Sequence, residues 1–160
     1  MSVAFVKEES AEAASETVLP DRPISIYPNL VTQEGLARLN KELAEAQAAL
    51  EAANGLDDIN ERRRQAAVPL RDARYFAERV RTAQLVPAPD TNDVVAFGHR
   101  VTYEREDGRR QSFRIVGEDE ADPATGSISY VSPVAAALMG KAVGDVVALG
   151  EHELEILAIA

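Results

Sequence analysis

Acidic residues that follow a helix break are the first group in the chain whose types and spacing could do chemistry. Asp57, Asp58 and Glu61 come directly after Asn54-Gly55, a pair that tolerates the positive φ found where helices end. The spacing of Asp58 and Glu61 places both carboxylates on one face of a helix. Because acids are favoured at any helix N-terminus, a charged helix start is the simpler interpretation of all three.

Other candidates for chemistry are weaker. The run Arg62–Arg64 follows the acids and could neutralise them, although such a run usually lies on a solvated face. His99 and His152 have no companions at metal-ligand spacing, so ordinary surface or sheet positions are expected for both. The sequence contains no Ser/His/Asp set, no P-loop and no zinc pattern.

The charge and the composition exclude several classes of protein. The formal net charge is −10, from 17 basic and 27 acidic residues. Direct binding to a nucleic-acid backbone needs a basic surface, so any role near nucleic acid is expected to run through a basic protein partner. The chain has no cysteine and no apolar run near the ~20 residues that span a bilayer, and we do not expect its N-terminal run to act as a signal peptide. We expect a cytoplasmic monomer without sequence-specific nucleic-acid binding and without membrane contact.

Two helical arms must carry the acids. Thr32 is a plausible N-cap for the first arm. Apolar residues then follow with alternating spacings of 3 and 4, which is a heptad seam. These residues are Leu36, Leu39, Leu43, Ala46, Leu50 and Ala53.

A second apolar stripe begins after the break. Its members are Ile59, Ala66, Leu70, Ala73, Ala77, Val80 and Gln84, with Arg63 filling one position. Two successive heptad helices with a short connection predict an antiparallel coiled-coil hairpin. The first arm is acidic and the second is rich in arginine, so lateral pairing is expected. Pro69 should kink the second arm.

The period changes after the hairpin. Strands are predicted at Val94–Phe97 and in several later runs, with a hairpin turn at Glu106–Gly108. Ser132-Pro133 predicts the start of one short helix. The fold class is therefore α+β. The predicted segments are an acidic, flexible stretch over 1–30, the hairpin over 31–86, a linker over 87–93 and a domain over 94–160.

Within the first segment, two short apolar runs could dock on the body of the protein or on a partner. These runs are Val3–Val6 and Ile24–Tyr27. A mobile acidic tail is the simpler expectation for residues 1–30.

Ordered runs in the last third of the chain resemble the C-terminal domain of the Gre factors (GreA/GreB), a family of transcription elongation factors. The runs are VAFG (95–98), RIVGEDEADP (114–123), ISYVSPVAAALMGK (128–141) and VGDVV (143–147). The hairpin, which opens LVTQEGLARLNKEL and closes AQLV, occupies the place of the Gre coiled coil. The resemblance covers roughly residues 30–160.

The resemblance implies a fold, a partner and a site. The C-terminal domain would be FKBP-like and would dock at the rim of the RNA polymerase secondary channel, while the coiled coil enters the channel. The polymerase-binding residues would be Gly117, Glu118, Asp119, Glu120, Ser132 and Pro133. Asp58 and Glu61, with Asp57 beside them, would hold a second Mg²⁺ at the polymerase active site, since Mg²⁺ takes hard oxygen ligands. The chain would need no cofactor of its own.

Departures from the family pattern separate the functional hypotheses. The tip does not reproduce the Gly-Asp-x-x-Glu-Asn run of cleaving members: Leu56 and Asp57 follow Gly55, and Arg62 replaces the Asn. The coiled coil also looks about one heptad per arm shorter. The chain thus resembles a divergent paralogue, not itself an enzyme, that modulates polymerase or competes with cleavage factors.

Two alternatives stay open. One is a genuine stimulator of transcript cleavage. The other is an FKBP-like binding module unrelated to polymerase, although the aromatic residues that would line its pocket are few and scattered. These residues are Phe97, Tyr103, Phe113 and Tyr130.

Overall fold

The structure is a computed structural model, and it describes residues 18–160. The run Val3–Val6 and the rest of residues 1–17 lie outside the described residues. The fold is α+β, as the sequence predicted, with two long helices followed by a β-rich domain. In the part of the chain that the structure describes, no helix has the length and apolar character needed to cross a membrane.

A helical hairpin opens the described fold. Strand β1 spans Leu30–Val31, helix α1 spans Gln33–Asn54, helix α2 spans Ile59–Thr82 and strand β2 spans Gln84–Leu85. Residues 55–58 connect the two helices at one end. At the other end β1 pairs with β2 in parallel, so the start of α1 and the end of α2 meet. The turn therefore lies where the sequence predicted it.

In α1, every residue of the predicted heptad seam is buried or partly buried. In α2, the residues that are buried differ from the predicted stripe at some positions. In α2, Ala66, Ala73 and Val80 are partly buried as expected, but Leu70 is 39% exposed and Phe76 is partly buried instead of Ala77. The predicted stripe and the observed one share every second residue, so both have the alternating spacing of 3 and 4. Burying Phe76 removes far more apolar surface from water than burying Ala77 does, which favours the observed face at that position.

Two ion pairs of the second arm have partners outside the first arm. Arg81 pairs with Glu78, one turn away on α2. Arg74 pairs with Asp21, which lies before β1.

Helix α2 continues through Pro69 to its end at Thr82.

Residues 18–29 contact the folded body, whereas the sequence predicted a flexible segment. The guanidinium of Arg22 lies 3.8 Å from the centre of the Tyr75 ring and 3.4 Å from the Asp72 carboxylate. Further along, the Ser25 hydroxyl donates a hydrogen bond to Glu118 at 3.0 Å. Stacking of a cation on an aromatic face is favourable and does not require a core of the segment's own.

The C-terminal domain is built on a five-stranded sheet with the strand order β5-β4-β3-β7-β6. Strands β4 and β5 pair in parallel, and the other neighbours pair antiparallel. One short helix, α3, spans Pro133–Leu138, as predicted. The strand bounds are Arg100–Arg105 for β3, Arg110–Val116 for β4, Ser127–Ser129 for β5, Val146–Leu149 for β6 and His152–Ile159 for β7.

The predicted strand at Val94–Phe97 is wrong. The backbone of Val95 instead exchanges hydrogen bonds with Lys141 and Gly140, both at 2.8 Å, and Gly98 turns the chain at φ +94°. Val95 and Phe97 are still buried in the core of the sheet domain. The apolar pattern therefore indicated burial correctly, but these backbone groups do not pair with a neighbouring strand.

Contacts divide the chain into two compact units whose boundaries differ from the predicted segments. One unit joins Ser25–Arg38 to Thr82–Ala160, so it contains β1, β2 and the first turns of α1. The other unit contains Leu39–Arg81 and, among the described residues, the chain before Ser25. The pairing of β1 with β2 makes the base of the hairpin part of the C-terminal unit.

Candidate functional site

The tip of the hairpin is a short turn closed by hydrogen bonds to its own backbone. The Gly55 amide donates to the Glu51 carbonyl at 3.2 Å, and the Leu56 amide donates to the Ala53 carbonyl at 3.2 Å. Gly55 is not among the glycines with positive φ, so the expected left-handed end of α1 is absent at this residue.

Asp58 is the N-cap of α2. Its Oδ1 atom accepts a hydrogen bond from the Glu61 amide at 2.9 Å, and its carbonyl accepts one from the Arg62 amide at 2.9 Å. Backbone N–H groups of Glu61 and Asn60 hold the pKa of the exposed Asp58 carboxyl below its ordinary value, because they stabilise the charged form. The simpler interpretation, an acid placed to start a helix, therefore describes what this side chain does here.

Glu61 is engaged by the turn of helix that follows it. The Gln65 side-chain amide donates to its Oε1 atom at 2.7 Å. The Arg64 guanidinium donates to its other oxygen and forms an ion pair with it. Both carboxylate oxygens of Glu61 thus have donors within its own helix.

Arg62 has a structural role that sequence reasoning missed. Its Nε atom donates to the Leu56 carbonyl at 2.8 Å, and its Nη2 atom donates to the Asp57 carbonyl at 3.2 Å. The side chain therefore closes the loop over its backbone by binding two of its carbonyls. The sequence offers one indication of this role, because an arginine stands at the position where the family run has Asn.

The tip as folded is not a prepared cation site. Within residues 18–160, no group of three or more His, Cys, Asp or Glu residues is arranged to hold a metal ion. A Mg²⁺ ion at the predicted pair would have to displace Arg64 and Gln65 from Glu61, and it would share Asp58 with the helix cap. Asp57 is exposed beside them. Mg²⁺ usually takes only one or two protein carboxylates, so this pair could serve such an ion only after Glu61 is released from Arg64 and Gln65.

The predicted polymerase-binding residues lie together at one edge of the sheet domain. Because β4 and β5 are parallel, the loop Gly117–Glu120 after β4 and the pair Ser132-Pro133 after β5 leave the sheet at the same edge. The Tyr130 amide donates to the Val116 carbonyl at 2.9 Å, which continues the pairing to that edge. The structure thus brings these six residues to one side.

The loop after β4 holds the base of the hairpin. The Thr32 hydroxyl donates to Oε2 of Glu120 at 2.6 Å, while it accepts the Gly35 amide at 2.9 Å as the predicted N-cap of α1. Arg38 donates to the Glu120 carbonyl at 3.4 Å. Glu120 therefore orients the cap of a helix, a role that nothing in the sequence indicated.

The remaining residues of this loop also face the chain around β1. Gly117 is buried, and a Cβ atom placed on it would lie 2.2 Å from the Leu30 carbonyl oxygen. Glu118 accepts the Ser25 hydroxyl at 3.0 Å. Asp119 is only partly exposed. The partner-binding role of the loop stays a prediction. These contacts are intramolecular and hold the chain around β1.

Ser132 and Pro133 have different exposures. The Ser132 hydroxyl accepts the Ala135 amide at 3.3 Å and caps α3, as expected. Pro133 is the first residue of α3 and is exposed. Of the six predicted residues, Pro133 is the one that presents its side chain most openly to a partner.

His99 is not on the surface. It is 2% exposed, its Nδ1 atom accepts the Ala96 amide at 2.9 Å, and its Nε2 atom lies 2.9 Å from the Thr91 carbonyl, to which it donates. Of the two positions expected for His99, surface or sheet, the structure excludes the surface. The imidazole links two backbone groups in the segment that precedes β3. This structural role accounts for a histidine that has no companions at metal-ligand spacing.

Comparison with known proteins gives consistent relatives. The family model "Transcription elongation factor, GreA/GreB, C-term" matches residues 90–160. Transcription elongation factor GreA of Desulfovibrio desulfuricans is 34% identical over 151 residues, covering 86% of this chain and 93% of that protein. GreA of Geobacillus kaustophilus is 34% identical over 155 residues, covering 83% and 96%.

Among solved structures, GreA factor homolog 1 (Gfh1) of Thermus thermophilus is similar, with 25% sequence identity and coverage of 84% of this chain and 99% of that one. The TM-score of this match is 0.40. The assignment rests on the sequence relatives, which match along nearly their whole length. The chain therefore belongs to the GreA/GreB family of transcription elongation factors.

Proposed function

We propose that this chain is an RNA polymerase-binding regulator that inserts its hairpin into the secondary channel and modulates elongation, or competes with cleavage factors, without strong cleavage activity of its own. The observation that carries this proposal is the engagement of the tip acids. Asp58 caps α2 and Glu61 is held by Arg64 and Gln65. Acids used in this way stabilise the turn and are poorly placed to coordinate a cation.

Occupation of a channel requires shape and a docking surface, and it does not require ligands at the tip. The closed turn gives α1 and α2 a compact end, because Arg62 fills the loop and bonds to its carbonyls. Pro133 offers an exposed contact on the sheet domain. We propose that the protein acts as a cytoplasmic monomer on RNA polymerase and recognises no nucleic-acid sequence of its own. Mg²⁺ would enter its function only at the polymerase active site.

Competition is the decisive behaviour for this proposal. We expect increasing amounts of the wild-type protein to slow RNA shortening by an authentic cleavage factor on a backtracked elongation complex. The matched variant is Asp58→Asn with Glu61→Gln, because Asn keeps the N-cap and Gln keeps the shape while both lose their charge. Equal competition by both proteins supports the proposal, and failure of the folded variant to compete would contradict it.

A second candidate is a genuine cleavage stimulator. The observation in its favour is the placement of Asp58 and Glu61 on the first turn of α2, directly beside the exposed Asp57. For this candidate, polymerase binding would have to draw Glu61 away from Arg64. Its distinguishing outcome is metal-dependent shortening of RNA by the wild-type protein alone.

A further inference from the structure

A groove along α2 has an apolar floor and a basic rim. Its lining on α2 consists of apolar residues, which we call the floor, and arginines, which we call the rim, around a cavity of about 350 Å³. The floor is Ala66, Ala67 and Leu70, and the rim is Arg63, Arg71 and Arg74. Apolar surface exposed beside three arginines suits a ligand that is apolar in one part and acidic in another.

The described chain before β1 contributes Val18 and Leu19 to the lining of this groove. Leu19 is partly buried in it, whereas Val18 is 74% exposed. Asp21 pairs with Arg74 at 3.4 Å, and Asp72 pairs with both Arg71 and Arg22. Arg63 has no ion pair with any residue from 18 to 160. The basic rim is thus partly satisfied near residue 74 and open near residue 63.

The direction of the chain carries it towards that open end. Arg22 lies beside Asp72 and Tyr75, while Val18 and Leu19 line the groove that extends to Arg63. Val18, the first described residue, thus lines the same groove as Arg63. Seventeen residues can reach about 55–60 Å when extended, whereas the helix from Leu70 back to Ile59 covers about 17 Å.

Residues 1–17 have the composition that the groove requires. Val3–Val6 is an apolar run with an aromatic ring at Phe5. Four acids follow it against the single base Lys7, and these acids are Glu8, Glu9, Glu12 and Glu16. Apolar residues for the floor and carboxylates for the rim thus occur in the segment that precedes the groove along the chain.

We propose that the groove on α2 binds residues 3–16 of the same chain, with Val3–Val6 on the floor and the four acids against the arginine rim. Bound in this way, the segment covers the basic face of the second arm. Any other acidic ligand of that face must displace it. This proposal concerns the chain's own segment and does not rest on the function proposed above.

Paramagnetic labelling of the full chain tests the proposal. Because the protein has no cysteine, Ser10→Cys gives a single site for a nitroxide. We expect the label to broaden the amide signals of Ala66, Ala67 and Leu70 in ¹⁵N-labelled protein. The broadening should be lost in 1 M salt, where the screening length falls to about 3 Å.

Matched variants separate the two halves of the interaction. Arg63→Glu should abolish the broadening and Arg63→Lys should keep it. In the segment itself, Phe5→Ser should weaken the broadening and Phe5→Leu should keep it. If Arg63→Glu loses the helical circular dichroism of the parent, the Phe5 pair decides, because substitutions there change no described contact.

Three outcomes would overturn the proposal. The first is no broadening on α2. The second is broadening that Arg63→Glu and salt leave unchanged. The third is broadening that appears when the nitroxide and the ¹⁵N label are on different molecules, because a second copy would then be the occupant.

Discussion

The Thr32 hydroxyl and the Glu120 carboxylate share a 2.6 Å hydrogen bond across 88 positions of the chain. Through it, the loop after β4 orients the residue that caps α1. A side chain proposed to meet a partner thus also fixes the start of the helix that leads to the tip.

Thr32→Ala should lower the free energy of unfolding by about 1–2 kcal/mol, since both the helix cap and the bond to Glu120 are lost. Thr32→Ser keeps both hydroxyl bonds and should stay within about 0.5 kcal/mol of the wild type. Urea denaturation of these variants, together with Glu120→Ala and the double variant, measures the coupling. Strictly additive effects of Thr32→Ala and Glu120→Ala would show that the bond contributes nothing.

Gly117→Ala should destabilise the protein by about 1–3 kcal/mol or more, because the new Cβ atom would lie 2.2 Å from a backbone oxygen that cannot move without β1. The matched control is Gly55→Ala, where the nearest atom outside its neighbours is 3.5 Å away. Thermal unfolding of both variants gives the comparison. A Gly117→Ala protein as stable as the control would mean that β1 does not pack against this loop.

The cap at Asp58 should be sensitive to acid. Its pKa is lowered in the folded protein, so the contribution to stability is complete above the ordinary value of 3.8 and is lost as pH falls through the folded value. Titration of the backbone amides of Asn60 and Glu61 by NMR should show this loss. Asp58→Asn should keep the cap and remove the pH dependence, and a variant that titrates like the wild type would assign the transition to another group.

Pro133 provides the sharpest test of docking. Pro133→Arg changes an exposed side chain and leaves the Ser132 cap in place, so we expect weaker retention of RNA polymerase with unchanged folding. Replacing Ser132 as well, with a bulky charged residue, should weaken binding further. Capture of polymerase assays the binding, with near-UV circular dichroism as the control. Full retention by a folded Pro133→Arg protein would remove this edge from the proposed interface.

Local sequence patterns predicted most of the fold, but they could not predict contacts between residues that are far apart in the chain. The heptad of α1, the turn near residue 58 and the caps at Thr32 and Ser132 depend on neighbours in sequence, which a single chain displays. The face of α2 was ambiguous, because two 3-4 stripes share Ala66, Ala73 and Val80. The exposure of Leu70 and the burial of Phe76 in place of Ala77 distinguish them in the structure.

The candidate site shows the same division between local and distant information. The sequence placed Asp57, Asp58 and Glu61 at the tip correctly, because the turn follows from the two arms. It did not reveal the bonds from Arg62 to the carbonyls of Leu56 and Asp57, since loop backbone geometry is not written in residue spacing. The resemblance to Gre factors is confirmed by the relatives, and with it the expectation that the chain is an elongation factor and not itself an enzyme.

The length of the RNA in a stalled, backtracked elongation complex tests the central claim most directly. The wild-type protein is added alone with Mg²⁺, at a concentration where it binds polymerase, and the transcripts are resolved by gel. We predict no shortening beyond that of polymerase by itself, because the tip acids serve the turn of the hairpin. Robust, metal-dependent shortening that disappears with Asp58→Asn and Glu61→Gln would contradict the account and identify the chain as a cleavage stimulator.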